Sequence, residues 1–99
     1  MNVMITTTGD MIRLADQISR SEVKKIVEGD FFIIELDRKS SKSFMLVNVD
    51  YTYDDDVEEN KTATGLVNSL STDYENDTIS GNVVVTDNLD FLKTTKQKK

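Results

Sequence analysis

The sequence GDFFIIEL at residues 29–36 is followed by a polar break and then by SFMLVNVDYTY at residues 43–53. This is the densest apolar region of the chain, and its two runs predict the strands of a β-hairpin. Alternate side chains of a strand face opposite sides of a sheet. In residues 43–53 one face is apolar throughout and the other turns polar after Leu46, as in an antiparallel strand that leaves the core. Residues 31–36 are apolar on both faces except at Glu35, so we expect this first strand to be the more central of the two.

The segment before the hairpin predicts helical structure. Asp10 is a candidate N-cap, and the apolar residues after it fall on one helical face up to Ile18. The pattern loses phase at residues 19–21 and then restarts, which indicates a second helix of two turns that ends at Gly29. A single kinked helix is the alternative. We expect residues 1–8 to form a short edge strand or a lead-in.

The segment after the hairpin is acidic at first and then predicts two strands. Residues 62–71 show a helical stripe of apolar residues, but Thr, Gly, Asn and Ser fill the gaps, and these are poor residues for a helix interior. We therefore predict a strand there. Residues 78–86 predict a further strand, in which Gly81 indicates a bulge or a close backbone approach. Residues 87–92 predict one last helical turn.

Together these elements predict an α+β fold. One or two N-terminal helices pack on a four-stranded, mostly antiparallel sheet within a single domain at residues 1–92, and a mobile Lys-rich tail follows at residues 93–99. The segment Glu28–Ile33 (EGDFFI) resembles the opening strand of SH3-like and Tudor-like small barrels, in which a Gly-Asp turn feeds an apolar strand. The resemblance covers residues 28–53 and implies that the sheet is curled.

The composition narrows the classes of function. The 99 residues include no Cys and no His, which excludes a thiol nucleophile, a disulfide framework and the commonest general base and metal ligand. The acidic stretches that start at Asp54 and Asp73 do not match an EF-hand loop, because the sixth position is not Gly in either. We therefore expect no enzyme, no cofactor and no metal site. No apolar run approaches the length of a membrane span, and we expect a cytoplasmic protein.

Negative charge is concentrated in one part of the chain. Residues 54–90 hold ten acidic side chains against one basic side chain, whereas the whole chain has a net charge of −6. The run DDDVEE at residues 54–59 predicts a solvated surface loop, because its like charges repel one another. This run and a second acidic stretch form the candidate partner-binding surface, with carboxylates at Asp54, Asp55, Asp56, Glu58, Glu59, Asp73, Glu75 and Asp77.

Such a surface suggests a basic partner. Carboxylates placed near phosphate spacing can occupy the site where a nucleic acid would bind on a basic protein. In size, charge and lack of catalytic residues the chain resembles small acidic proteins of phages and mobile elements, such as anti-CRISPR proteins and other DNA mimics. That resemblance implies a non-enzymatic inhibitor or modulator that docks on a basic, nucleic-acid-handling protein.

Three other functions stay open. The acidic face can be merely solubilising, or the chain can be a structural or accessory domain that self-associates through a strand edge. Direct nucleic-acid binding through the Lys tail and the face of Arg20, Lys24 and Lys25 is disfavoured, because the net negative field repels phosphate. We expect neither direct nucleic-acid contact nor a membrane partner.

Overall fold

A computed structural model of the chain describes residues 2–37, 41–50, 56–71 and 77–90. It contains five strands and two helices, in the chain order β1 (Asn2–Ile5), β2 (Met11–Arg13), α1 (Arg20–Val27), β3 (Phe31–Asp37), β4 (Lys42–Asn48), α2 (Lys61–Leu70) and β5 (Val83–Thr86). All strand pairs are antiparallel, and the sheet order is β2-β1-β5-β4-β3. The α+β prediction is confirmed, with five strands instead of four.

The two helices cover opposite faces of this sheet. On one face, α2 buries Ala63 and Val67 against alternate residues of the strands, including Met45 and Val83. On the other face, α1 buries Val23 and Val27 against Leu46 and Val84. The interior strands β4 and β5 therefore bury both of their faces, which is why they read as nearly continuous apolar runs.

The hairpin prediction is confirmed by the pairing of β3 with β4, in a register that runs from Phe31↔Asn48 to Asp37↔Lys42. The expected order of the two strands is wrong, because β3 is an edge of the sheet and β4 lies inside it. The apolar character of β3 on both faces does not reflect centrality. Ile34 and Leu36 pack under α2, whereas Ile33 on the other face remains 38% exposed.

The predicted first helix, from Asp10 to about Ser19, is wrong. Met11–Arg13 forms the edge strand β2, which pairs with β1, and the helix α1 begins only at Arg20. The helical spacing in this short segment is outweighed by backbone pairing with β1. Residues 1–8, expected to form an edge strand or a lead-in, do contain a strand, but β1 lies between β2 and β5 and is not an edge. The predicted second helix is confirmed as α1, which ends at Val27 with Glu28 in the left-handed conformation (φ 68°) before Gly29.

The strand predicted for residues 62–71 is also wrong, since this segment is α2. Its apolar stripe, not its low intrinsic propensity, decides the structure, because burial of Ala63 and Val67 outweighs a few tenths of a kcal/mol per residue. The strand predicted for residues 78–86 is confirmed in its second half as β5. Gly81 has a positive φ of 80° and lies before the strand, so it interrupts the extended conformation two residues before β5 begins.

The curled barrel implied by the SH3-like resemblance is not confirmed. In the described part of the chain the sheet is open, with β2 and β3 as its two edges. Neither α1 nor α2 has the length and apolar character that a bilayer span requires. The predicted tail at residues 93–99 lies outside the described residues, as do residues 91 and 92 of the last helical turn expected at residues 87–92. At the start of that turn, Asn88 Oδ1 accepts from the Asp90 N–H at 2.8 Å.

Candidate functional site

The strand directions bring the loops to two opposite ends of the sheet. β1 and β4 finish at the end where β2, β3 and β5 begin, since Ile5 pairs with Met11 and with Val83, and Asn48 pairs with Phe31. The connections from β1 to β2, from α1 to β3 and from β4 to α2 all leave or enter the sheet there. Side chains that are far apart in the sequence therefore share one end of the molecule.

Seven exposed carboxylates lie in these connections, and we call them the acidic end: Asp10, Glu28, Asp30, Asp50, Asp56, Glu58 and Glu59. The basic residues in the adjoining helix ends are Lys24, Lys25 and Lys61. Lys24 Nζ is 3.1 Å from Asp30 Oδ1, an exposed ion pair that neutralises one of the carboxylates. At the opposite end of the sheet the described residues at and beside the strand termini carry charges of both signs, with Arg13 and Lys42 beside Asp16, Asp37 and Asp87.

One buried residue, Asn60, fixes the part of the acidic end that precedes α2. Its side chain is fully buried, and its amide nitrogen donates to the carbonyl oxygens of Ile5 (2.9 Å) and Gly81 (2.8 Å). Its amide oxygen accepts from the N–H of Ala63 at 3.0 Å, as an N-cap of α2. Asn60 thus ties β1, the segment before β5 and α2 to one another.

The backbone of Glu58 and Glu59 is held by the same segment before β5. The Gly81 N–H donates to the Glu58 carbonyl oxygen at 3.0 Å, and the Asn60 N–H donates to the Ile79 carbonyl oxygen at 2.8 Å. Glu59 forms an antiparallel bridge with Ser80 between these two bonds. Glu58 and Glu59 are therefore presented to solvent from an anchored backbone.

The loop between β1 and β2 positions Asp10. The Thr6 N–H donates to the Asp10 carbonyl oxygen at 2.9 Å, and the Asp10 N–H donates to Thr6 Oγ1 at 3.1 Å. The hydroxyl of Thr8 donates to Asp10 Oδ2 at 3.2 Å. The loop is attached to the segment before β5 by a bond from the Thr7 N–H to Asn82 Oδ1 at 3.2 Å.

A second buried amide, Asn48, fixes the part of the acidic end at the hairpin. Its nitrogen donates to the Val27 carbonyl oxygen at 2.8 Å, and its oxygen accepts from the Asp50 N–H at 2.7 Å. The Asn48 side chain also leaves no room for a side chain at position 29, because a Cβ on Gly29 would lie 2.9 Å from Asn48 Nδ2. Asn48 therefore links the end of α1, the start of β3 and the turn at Asp50.

The structure brings together only some of the residues predicted from the sequence. Asp56, Glu58 and Glu59 belong to the acidic end, whereas Asp77 lies apart, where Asn68 Nδ2 donates to its carbonyl oxygen at 3.0 Å beside the second half of α2. The four other predicted residues fall outside the described residues: Asp54, Asp55, Asp73 and Glu75. Sequence reasoning missed the four earlier members of the acidic end, which are Asp10, Glu28, Asp30 and Asp50. Each adjoins a strand or a turn, but only the sheet order shows that they share one end.

The carboxylates of the acidic end are arranged to produce a broad negative electrostatic field and not to coordinate a metal ion. Among the residues that the structure describes, no three Asp, Glu, His or Cys side chains are grouped so that they could hold a metal ion. A groove of about 370 Å³ lies elsewhere, on the α2 face, with Val3, Ile5 and Val85 among its lining and Asp87 as its one carboxylate. The acidic end can therefore act chemically through charge–charge attraction at long range and ion pairs at contact.

Comparison of the chain with protein-family models, with curated protein sequences and with solved structures finds no match.

Proposed function

We propose that this chain is a non-enzymatic binding protein, a small acidic inhibitor or modulator whose acidic end docks on the basic surface of a nucleic-acid-handling protein. The observation that carries the proposal is the convergence of seven exposed carboxylates from separate connections at one end of the sheet. Three basic residues adjoin them, so among the described residues this end is strongly negative, whereas the opposite end carries charges of both signs. The charge distribution of the molecule is therefore asymmetric, and its field orients an approaching basic partner.

The anchoring of the carboxylates supports docking over simple solubility. A solubilising charge has no need of a fixed backbone, whereas a charge pattern that matches a binding site does. Glu58 and Glu59 leave a paired segment, Asp50 follows a turn fixed by Asn48, and Asp10 sits in a loop bonded at both ends. The ordering entropy of these segments is already lost on folding, so less is lost on binding.

The proposed partner class follows from charge complementarity. Proteins that bind nucleic acid present Lys and Arg to phosphate, and an array of carboxylates on a rigid scaffold competes for the same cations. This mode of action matches the small acidic proteins of phages and mobile elements that the composition resembles, anti-CRISPR proteins and DNA mimics among them. The binding would need no catalytic group and no cofactor.

The test compares two variants with the same change of net charge. Glu58→Gln with Glu59→Gln removes two charges from the acidic end, and Asp16→Asn with Asp37→Asn removes two exposed charges elsewhere. Capture from cell lysate and mass spectrometry identify a partner, and the purified partner is then the probe in surface plasmon resonance. Exposed charges act mainly on the association rate constant. We therefore expect this constant to be several-fold lower for the first variant, and to fall for the wild type as salt rises.

The second variant is the matched control and should keep the wild-type rate. A second readout is the release of fluorescent duplex DNA from the purified partner when wild-type protein is added. Equal association rates for both variants would contradict the proposal and leave the acidic end as a solubilising surface. A partner that keeps its DNA would contradict competition for the nucleic-acid site.

A second candidate function is a structural or accessory domain that self-associates through a strand edge. The observation that favours it is β3, a seven-residue strand that is an edge of the sheet in the described part of the chain and that carries the exposed side chain of Ile33. Natural sheets rarely leave a long apolar edge strand unprotected. The two candidates are compatible, because the edge and the acidic end are different surfaces.

A further inference from the structure

The hydrogen-bond pattern of the hairpin shows which backbone groups of β3 face outward. The Val49 N–H donates to the Asp30 carbonyl oxygen at 2.9 Å, so this pair belongs to the hydrogen-bonded set. In an antiparallel ladder the bonded pairs alternate, so the backbone groups of Phe32, Ile34 and Leu36 point toward β4. The N–H and C=O groups of the alternate residues point away from the sheet, and these are Phe31, Ile33, Glu35 and Asp37.

The side chains of these alternate residues lie on the same face of the sheet as α1. α1 packs over β4 and β5, and Ile33 remains 38% exposed. Over the neighbouring Phe31 ring lies the Arg20 guanidinium, with its carbon 5.3 Å from the ring centroid. On the other side of Ile33, Glu35 Oε1 is 3.5 Å from Lys42 Nζ. Along this edge the side chains are therefore, in order, an aromatic ring covered by a cation (Phe31), an exposed aliphatic side chain (Ile33) and a carboxylate (Glu35).

We propose that a second copy of this chain pairs antiparallel with the outer edge of β3, about a two-fold axis at Ile33. In this register Ile33 faces Ile33 of the second copy, and Phe31 faces Glu35 of the second copy. The outward N–H and C=O groups of residues 31–35 then bond to those of the same residues in the other copy. The result is a continuous ten-stranded sheet formed by two five-stranded sheets.

Charge and apolar contacts select this register over its neighbours. The Ile33 pair buries the exposed apolar side chain of the strand against itself. Glu35 of one copy meets Phe31 of the other, beside the Arg20 guanidinium, so opposite charges approach twice across the axis. A shift that sets Glu35 opposite Glu35 places like charges in contact, and the intermediate shift leaves the two carboxylates as diagonal neighbours.

The other edge of the sheet is a weaker template for pairing. β2 has only three residues, and the bond from the Leu14 N–H to the Asn2 carbonyl oxygen (2.7 Å) implies that Met11 and Arg13 carry its outward backbone groups. Its exposed Ile12 (43%) and Met11 (62%) nevertheless resemble the exposed side chain of β3. Ile12 is therefore a matched control position on the edge that is not expected to pair.

This inference rests on the second candidate function and is independent of docking by the acidic end. Because the paired strands are antiparallel, the acidic ends of the two copies point in opposite directions along the strands. A dimer would therefore present two separate acidic ends. A monomeric protein that still docks on a basic partner would refute only the pairing.

The first experiment measures mass in solution. The overlap is short, so light scattering coupled to size-exclusion chromatography is done at about 100 µM protein, where weak interfaces are populated. We expect twice the chain mass of 11.2 kDa for the wild type and for Ile12→Lys, and the chain mass for Ile33→Lys. A monomeric wild type, or a dimer that Ile12→Lys disrupts and Ile33→Lys does not, would overturn the proposal.

The second experiment fixes the register and does not depend on a destabilising charge. The chain has no Cys, so single cysteines report on a single site. In the proposed register Ile33→Cys places two Cα atoms about 5.5 Å apart, within the range for a disulfide, whereas Glu35→Cys places them roughly 14 Å apart. Under mild oxidation we expect Ile33→Cys to form a covalent dimer on a non-reducing gel and Glu35→Cys to remain a monomer. Cross-linking of Glu35→Cys as fast as that of Ile33→Cys would rule out this register.

Discussion

Two buried asparagine side chains determine where the carboxylates of the acidic end lie. Asn60 is 0% exposed and Asn48 is 2% exposed, and each makes bonds to the backbone of distant segments. A buried amide that is fully bonded adds specificity, whereas its partners become unsatisfied if it is removed. These two residues therefore connect packing in the core to the geometry of a charged surface.

At the scale of single residues, the strongest prediction concerns Asn60. Asn60→Ala leaves the buried carbonyl oxygens of Ile5 and Gly81 without this donor and removes the N-cap of α2. We expect a loss of about 2–4 kcal/mol in the free energy of unfolding, a large share of the stability of a small domain. Urea unfolding followed by circular dichroism measures it, and Ser69→Ala on the exposed side of α2 should change stability by less than about 0.5 kcal/mol. A loss as small as that of the control would show that water replaces the amide.

Some of these residue roles were visible in the sequence and some were not. Ser19 and Glu22 form a capping box, with Ser19 Oγ accepting from the Glu22 N–H at 3.1 Å and Glu22 Oε1 accepting from the Ser19 N–H at 2.7 Å. The spacing S-x-x-E is a known helix-start signature, and it marks the place where the apolar pattern lost phase. Asn60 offered no such signal, because its role as a cap depends on α2 being a helix.

At the scale of elements, period-two patterning identified the hairpin correctly but could not place it within the sheet. Residues 44–47 are apolar without interruption because β4 is buried between two helices, so strict alternation is confined to the residues after Leu46. The segment at residues 11–18 was too short to separate helix from strand, and its three-residue strand is exposed at all positions. Pairing with β1 joins two separate segments, and the periodicity of residues 11–18 alone does not encode it.

The helix α2 offers a prediction about propensity. Gly65 is exposed in the helix interior, and a Cβ there would meet no atom within 4 Å. Gly65→Ala should raise the free energy of unfolding by about 0.5–1 kcal/mol, because alanine loses less backbone entropy on folding. The same substitution at Gly29, where φ is 153° and the new Cβ would lie 2.9 Å from Asn48 Nδ2, should lower stability. Urea midpoints with unchanged m-values test both, and a loss of stability in Gly65→Ala would show that an unseen contact uses the open space.

At the scale of the whole molecule, the acidic end is a product of sheet topology. The acidic run at residues 54–59 is obvious in the sequence. That its described carboxylates lie at the same end of the sheet as Asp10, Asp30 and Asp50 depends on the order β2-β1-β5-β4-β3. No local pattern fixes that order, since β5 is the last of the described strands and inserts between β1 and β4. The sequence therefore predicted part of the surface and could not predict its extent.

The gathering of like charges has a consequence for stability that salt should reveal. Seven carboxylates against three ammonium groups at one end repel one another in the folded state, and the extended chain separates them. The Debye length falls from about 30 Å at 0.01 M salt to about 8 Å at 0.15 M, so added salt screens this repulsion. We therefore expect the midpoint of thermal unfolding to rise as sodium chloride increases over this range.

The Glu58→Gln, Glu59→Gln variant carries less repulsion, so it should begin from a higher midpoint at low salt and gain less from added salt. The Asp16→Asn, Asp37→Asn variant has the same net charge and should keep the wild-type salt dependence, because its changes lie away from this end. Differential scanning calorimetry at matched protein concentration measures all three midpoints. If the two variants respond to salt alike, then net charge alone governs the response, and the carboxylates of the acidic end do not act as a local cluster.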